Sequence, residues 1–257
     1  MDETRGPQSS GAPGSGRVVL VTGGARGIGR ATALDLASDG WDVAFCYRTS
    51  RAAALQVEAE IQDRGRRALS LAADVAVPDE ATRLVERVLH AWGRLDALVN
   101  CAGPYRRVPI LEETPEGWRS MLANNLDATY YVCRAAIPTL MEQRSGRIVN
   151  FAIANVDRLV AQPTMTAYAI AKMGVLMLTR TLARTLAPHG ITVNAISPGY
   201  IDAPDLAEAE RQDAMRRIPA GHLGTGADAA HVVRFLLSAE ASYVTGANIP
   251  VSGGWGI

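Results

Sequence analysis

The sequence predicts a single α/β domain, with a doubly wound parallel β-sheet covered by helices on both faces, on three observations. Short apolar runs alternate with longer stretches of helical period from Val18 onward. A glycine cluster follows the first run directly and opens a helical stretch. No repeat, linker or composition break divides the 257 residues, and one α/β domain commonly fills such a length. Parallel strands need crossover connections, which place helices over the sheet.

The elements follow in order. Met1 to Gly16 is rich in Gly, Ser and Pro. It reads as a disordered tail, because it lacks both the apolar core of a signal peptide and the basic amphipathic pattern of a transit peptide. The domain proper spans residues 17–257. Val18-Val19-Leu20-Val21 is the first strand, Thr22 to Gly29 the turn after it, and Arg30 to Ser38 the helix that turn opens, with Gly40 at its stop. Val43-Ala44-Phe45 and Leu95 to Val99 are the next apolar runs, and Pro78 fits the first turn of a helix between them. Thr114 is placed to cap a long helix from Pro115 to Gln143. Ile148-Val149 and Ile191 to Ile196 then flank a helix over Met165 to Ala187, which Gly190 closes.

Composition narrows the function. Lysine plus arginine total 26 and aspartate plus glutamate total 26, so no net field draws the chain to nucleic acid or an anionic membrane. No apolar run approaches the roughly 18 residues needed to span a bilayer, since even Val175 to Leu186 carries Arg180 and Arg184. Cys46, Cys101 and Cys133 are an odd, scattered set and read as reduced thiols rather than a disulfide frame. A cytoplasmic protein acting on a small-molecule substrate is expected.

The turn Thr22-Gly23-Gly24-Ala25-Arg26-Gly27-Ile28-Gly29 lets the backbone approach a pyrophosphate, whose charge the amides of the following helix would meet. An enzyme selecting NAD is expected to place an acid about 20 residues further on. Here Tyr47-Arg48-Thr49-Ser50-Arg51 stands instead, with no carboxylate between Asp42 and Glu58. Arg26 and Arg48 would welcome a 2′-phosphate, so NADP(H) is the expected cofactor.

Lys172 is the only lysine in a chain with 25 arginines, and it follows Tyr168 by four residues. Residues four apart share a helix face. An ammonium beside a phenol would stabilise its phenolate and lower its pKa toward neutrality, which suits a general acid.

With these residues in view, the chain resembles the short-chain dehydrogenase/reductase family from Arg17 to Gly254. The glycine motif is Thr22 to Gly29, the adenine-contacting acid Asp74-Val75, and the Asn-Asn-Ala-Gly segment Asn100-Cys101-Ala102-Gly103. The active-site asparagine is Asn125, and Pro198-Gly199 and Ser252-Gly253-Gly254 also match. The resemblance implies a Rossmann-type sheet and a nicotinamide held by Lys172, Pro198, Gly199 and Ile201. It also implies a proton relay through Tyr168, the ribose, Lys172 and water near Asn125. A homotetramer built on the two long helices is implied in the same way.

Two departures stand out. The family's catalytic serine falls on Ile153 counted from Gly146-Arg147-Ile148-Val149-Asn150, and on Asn155 counted back from Tyr168, so two extra residues separate strand and helix. Losing one such donor can cost about 10²-fold in rate. Asn155 can donate through its amide and is the first replacement considered, with Asp157 second and Thr164 or Thr166 third. The second departure is Ala203, standing where the family usually has a cofactor-contacting threonine.

Arg106 and Arg107, beyond a strand's carboxyl end, could receive an anion. The resemblance implies that Pro204 to His222 forms a mobile lid. The leading expectation is an NADPH-dependent carbonyl reductase of the 3-oxoacyl-carrier-protein reductase or general ketoreductase kind. Pteridine or imine C=N reduction, with Asp157 assisting, and an NADP(H) sensor without turnover are the alternatives.

Overall fold

The computed structural model describes residues 16–203 and 206–256. The tail expected over Met1 to Gly16 lies, apart from Gly16, outside the described residues. Seven parallel strands form one sheet: β1 (Val18–Thr22), β2 (Asp42–Tyr47), β3 (Ala68–Ala72), β4 (Ala97–Asn100), β5 (Gly146–Phe151), β6 (Ile191–Pro198) and β7 (Asn248–Val251). Their order is β3-β2-β1-β4-β5-β6-β7. The order reverses between β1 and β4, and sheets of this kind open a binding crevice at such a reversal.

β1 is apolar at four consecutive positions because both of its faces are covered. Val18 and Leu20 pack into a layer with Leu84, Val88, Val132 and Leu140, from α3 (Pro78–Trp92) and α5 (Ala128–Gln143). Val19 and Val21 pack on the opposite face with Leu36, Val57 and Leu236, from α1 (Gly27–Ser38), α2 (Arg51–Gln62) and α8 (Gly226–Leu237). Alternate residues of one strand thus feed two cores.

The apolar runs identify the five inner strands, and the sequence reading has no counterpart for β3 or β7. These two edge the sheet. β3 is half-buried at three of its positions, and β7 is four residues long with Pro250 inside it, a residue tolerated at sheet edges. Neither makes the continuous apolar run of a strand buried on both sides.

Pro78 and Pro115 do open helices, and Thr114 Oγ1 accepts a hydrogen bond from the Gly117 amide at 3.0 Å. The long helix expected from Thr114 to Gln143 is divided: α4 (Pro115–Leu122) passes through a π-helical turn at Ala123–Asp127 into α5. π-Turns of this kind concentrate at functional sites, and this one carries Asn125. The expected lid contains α7 (Glu208–Arg217), with Pro204 and Asp205 outside the described residues. Among the described residues no helix is long and apolar enough to cross a membrane.

Candidate active site

A cleft of about 260 Å³ opens at the carboxyl ends of β1 to β4, lined among others by Gly23, Arg26, Arg48, Asp74, Ala102 and Gly103. Thr49 and Val75 also line it. Close backbone packing shapes this end. A Cβ on Gly24 would lie 2.5 Å from Phe45 Cβ, and one on Gly29 would strike the Gly23 carbonyl. Gly23 and Gly27 have φ of 69° and 51°, which glycine adopts without strain. Ala102 N donates to Thr22 Oγ1 at 3.0 Å, fixing the two loops across the crevice. Gly27 and Gly29 stand at the start of α1, whose N-terminal amides meet a phosphate well. Ile28 is half-buried against the core.

Arg48 reaches across the cleft. Its Nη1 donates to Asn124 Oδ1 at 3.1 Å and lies 3.7 Å from Asp74 Oδ2. The Asp74 carboxylate also accepts from the Ala76 amide at 3.0 Å. Arg48 is therefore held over the cleft, although its side chain stays 60% exposed.

Asn100, expected among the cofactor-binding residues, spends its side-chain amide inside the sheet. Asn100 Nδ2 donates to Asn150 Oδ1 at 2.8 Å and contacts Cys133 Sγ at 3.2 Å. Asn150 Nδ2 donates in turn to Thr179 Oγ1 at 2.9 Å. The registered pair Asn100 and Asn150 thus ties the sheet to α6 (Thr166–Leu186). The two amides do better bonded to one another inside the sheet than turned outward unpaired.

That tie positions the chemistry. Tyr168 is half-buried and Lys172 is 4% exposed, both on α6. Lys172 Nζ lies 5.6 Å from the centre of the Tyr168 ring and donates to the Phe151 carbonyl at 2.9 Å. The expectation that Lys172 lowers the phenol pKa is corrected here. Burial pushes Tyr168 above its ordinary value, with Tyr105 and Cys101 adding to it. The ammonium is turned to a carbonyl and does not offset this. Burial meanwhile lowers Lys172 to about 8, with Cys101 opposing.

Asn125 is fully buried in the π-turn. Its Nδ2 donates to the Met121 and Pro104 carbonyls at 3.1 and 3.2 Å, while Oδ1 has no hydrogen-bond partner among the described residues. A Cβ on Gly103 would strike Asn125 Oδ1 and lie 3.4 Å from Lys172 Nζ. Gly103 also lines the cleft, so the glycine-walled end and the tyrosine-lysine end meet at this one residue. Gly174 completes the approach: a Cβ there would lie 2.8 Å from Leu126, on the π-turn.

The replacement donors separate. Ile153 packs beside Ala152, Val156 and Leu176. Asn155 has φ 71°, a left-handed conformation that asparagine tolerates, and its side chain makes no hydrogen bond among the described residues. It is not spent on capping the turn at Val156–Arg158. Asp157 is exposed and accepts from Asn248 Nδ2 at 3.2 Å, which draws it to the β7 edge. Thr166 Oγ1 donates to the Gln162 carbonyl at 2.7 Å, and the Thr164 carbonyl receives the Val108 amide at 2.7 Å. The Asn155 amide and the Thr164 hydroxyl are the two of these groups that make no hydrogen bond among the described residues.

Pro198 and Gly199 are tied down by main-chain bonds, Ala154 N to the Pro198 carbonyl at 3.0 Å and Gly199 N to the Val251 carbonyl at 2.9 Å. Ile201 forms an isolated bridge with Gly224. Ala203 offers no hydroxyl at this turn. Of the two loop arginines, Arg106 is paired with Glu113 and is not the free anion receptor expected, whereas Arg107 is exposed. Sequence reasoning assigned no part to Tyr105, Tyr200 or Trp255. Tyr105 meets Tyr168 edge to face at 5.2 Å, and Tyr200 meets Trp255 likewise at 4.8 Å. These side chains come from distant segments, and no spacing in the sequence announces their meeting.

A family model described as Enoyl-(Acyl carrier protein) reductase matches residues 23–256. The chain is 38% identical to the 3-oxoacyl-(acyl-carrier-protein) reductase FabG of Staphylococcus aureus (strain Mu50) over 238 residues, covering 91% of this chain and 96% of that protein. A 3-oxoacyl-(acyl-carrier-protein) reductase of Synechocystis sp. is 38% identical over 240 residues, covering 93% and 96%. Among solved structures, a blue fluorescent protein from a metagenomic library, in complex with NADPH, superposes with a TM-score of 0.87 at 34% identity, covering 94% of this chain and 98% of that one. Acetoin dehydrogenase from Enterobacter cloacae gives 0.85 at 33%, covering 93% and 95%.

Proposed function

The chain belongs to the short-chain dehydrogenase/reductase family, and from that premise we propose that it is an NADPH-dependent carbonyl reductase with Tyr168 as its general acid. The observation that carries this reading is Gly103, which lines the cleft at the strand ends and stands against Asn125 and Lys172. A dinucleotide laid along the cleft would therefore end beside the proton donor. The glycines at Gly23, Gly24 and Gly29 fit a pyrophosphate site, since side chains there would strike Ala102, Phe45 and the Gly23 carbonyl and push the tight turn open. Arg48, with Arg26 at the same cleft, favours the 2′-phosphate form. The NADPH complex of a neighbour at 34% identity supports that choice.

When bound, NADPH supplies a hydride to the carbonyl carbon. Tyr168 donates the phenolic proton to the carbonyl oxygen as the C=O double bond becomes C–O, so the product is the alcohol. A phenol held above its ordinary pKa keeps its proton until that step. Lys172, with a pKa near 8, can carry a proton to the spent phenolate at working pH. Asn155 supplies the second hydrogen bond to the substrate oxygen, in the place left by Ile153.

The test is NADPH oxidation with 3-oxoacyl thioesters, ketones, dihydropterins and cyclic imines, beside Tyr168→Phe. Ketone-dependent turnover that falls about 10²- to 10⁴-fold in the variant is expected. Turnover confined to dihydropterins or imines would replace the carbonyl by a C=N substrate. Silence throughout, with NADPH bound tightly, would shift the reading to a substrate outside the panel or to a sensor.

A further inference from the structure

One aromatic ring meets Tyr168 and a second aromatic pair ends beside Asn155, and from this we infer that the carbonyl substrate carries an aromatic ring next to its C=O group. The inference rests on the carbonyl reductase reading and deepens it. Only 5% of the chain is aromatic, yet Tyr105 with Tyr168 and Tyr200 with Trp255 form two edge-to-face pairs. Tyr105 of the first pair meets the proton donor itself, with 5.2 Å between ring centres. The second pair is also fixed to the site. Gly256, next to Trp255, packs so closely that a Cβ on it would lie 2.8 Å from Asn155 Cβ.

The walls are not used up by the core. Tyr105 is 58% exposed, and Tyr200 and Trp255 are half-buried. Leu159 and Val160, on the loop between Asn155 and Tyr168, are 75% and 51% exposed. Leu159 also holds φ 55°, a conformation costly for a bulky side chain. An aromatic face kept open beside the proton donor, as that of Tyr105 is, is what a flat apolar ligand would cover. A linear acyl chain gains burial from such walls but not the offset or edge-on contacts that rings make with rings.

The experiment compares two 1,2-diketones of like reactivity, 1-phenyl-1,2-propanedione and 2,3-butanedione, with acetoacetyl-coenzyme A as the thioester. The full-length protein and NADPH are used throughout. The phenyl dione is expected to show a kcat/KM about 10-fold or more above that of butanedione. Trp255→Ala should lower the phenyl dione value about 10-fold more than it lowers the butanedione value, with Trp255→Phe restoring the preference. The phenylalanine variant separates a lost ring contact from a damaged fold. Equal use of the two diones, a preference for the thioester, or a Trp255→Ala effect of the same size on both diones would overturn the aromatic inference alone. Turnover of none of the three would remove the carbonyl reductase reading, and this inference with it.

Discussion

The two ends of the site are built from different materials. At the nucleotide end Gly23, Gly24 and Gly29 bring main chain against main chain or core, and Thr22 binds the facing loop. At the acceptor end Tyr105, Asn155, Tyr168, Tyr200 and Trp255 arrive from the loop after β4, the loop after β5, α6, the turn after β6 and the chain's last residues. A backbone surface serves any ligand with the same phosphates. A surface of side chains on loops can be changed one residue at a time, which is how one fold accepts many substrates.

Asn155→Ala should separate the ends most widely. Losing a donor to the developing oxyanion is expected to cut kcat about 10²- to 10³-fold, while NADPH affinity stays as it was. Asn155→Ser should recover much of the rate, because a hydroxyl can donate to the same oxygen. Parallel kinetics and NADPH titrations check this, and a loss below about 3-fold in kcat would show that Asn155 is not the donor.

Gly29→Ala makes the converse cut. The added Cβ meets the Gly23 carbonyl, and main chain cannot swing away as a side chain does. Overpacking of this kind costs about 1–3 kcal/mol, so NADPH binding should weaken about 10- to 100-fold. Calorimetric titration measures it, and unchanged affinity would mean that the turn gives way without cost. Arg48→Ala is a smaller cut at the same end. Its guanidinium is exposed and already shared with Asp74 and Asn124, so about 10-fold in NADPH affinity is expected, with NADH unaffected. An equal loss for both cofactors would deny Arg48 a role in choosing the 2′-phosphate.

The same division governs what the sequence reveals. The nucleotide end is legible because its devices are local: a strand, a glycine turn and a helix start lie within Val18 to Ser38. Tyr168 and Lys172 are legible because four residues on a helix fix their shared face. The Asn100 side-chain bond is not legible, because its partner Asn150 lies fifty positions away and is adjacent only through strand register. Trp255 gives no signal at all, since its contact with Tyr200 depends on the path of the whole chain. The edge strands β3 and β7 escape for a related reason: a strand buried on one side only carries no continuous apolar run.

Lys172 stands where the two ends meet, and its burial gives the mildest of the expected effects. Its pKa falls from the ordinary 10.5 to about 8 in the folded protein. Between those values the unfolded chain holds a proton that the folded chain has released, so stability rises with pH across this window. The contribution is full above 10.5 and lost as pH falls through about 8. The thiols act in reverse from about pH 9 upward, since burial raises Cys46 to about 11 and Cys101 to about 12. The clean interval is therefore pH 8 to 9. There, denaturant melts of the cofactor-free protein should gain up to about 1 kcal/mol relative to Lys172→Met, which has nothing to titrate at this position. Parallel stability curves would mean that the ammonium stays charged inside the fold. The nucleotide end would then carry a fixed positive charge at Gly103, and Lys172 would hold the ribose without relaying protons to Tyr168.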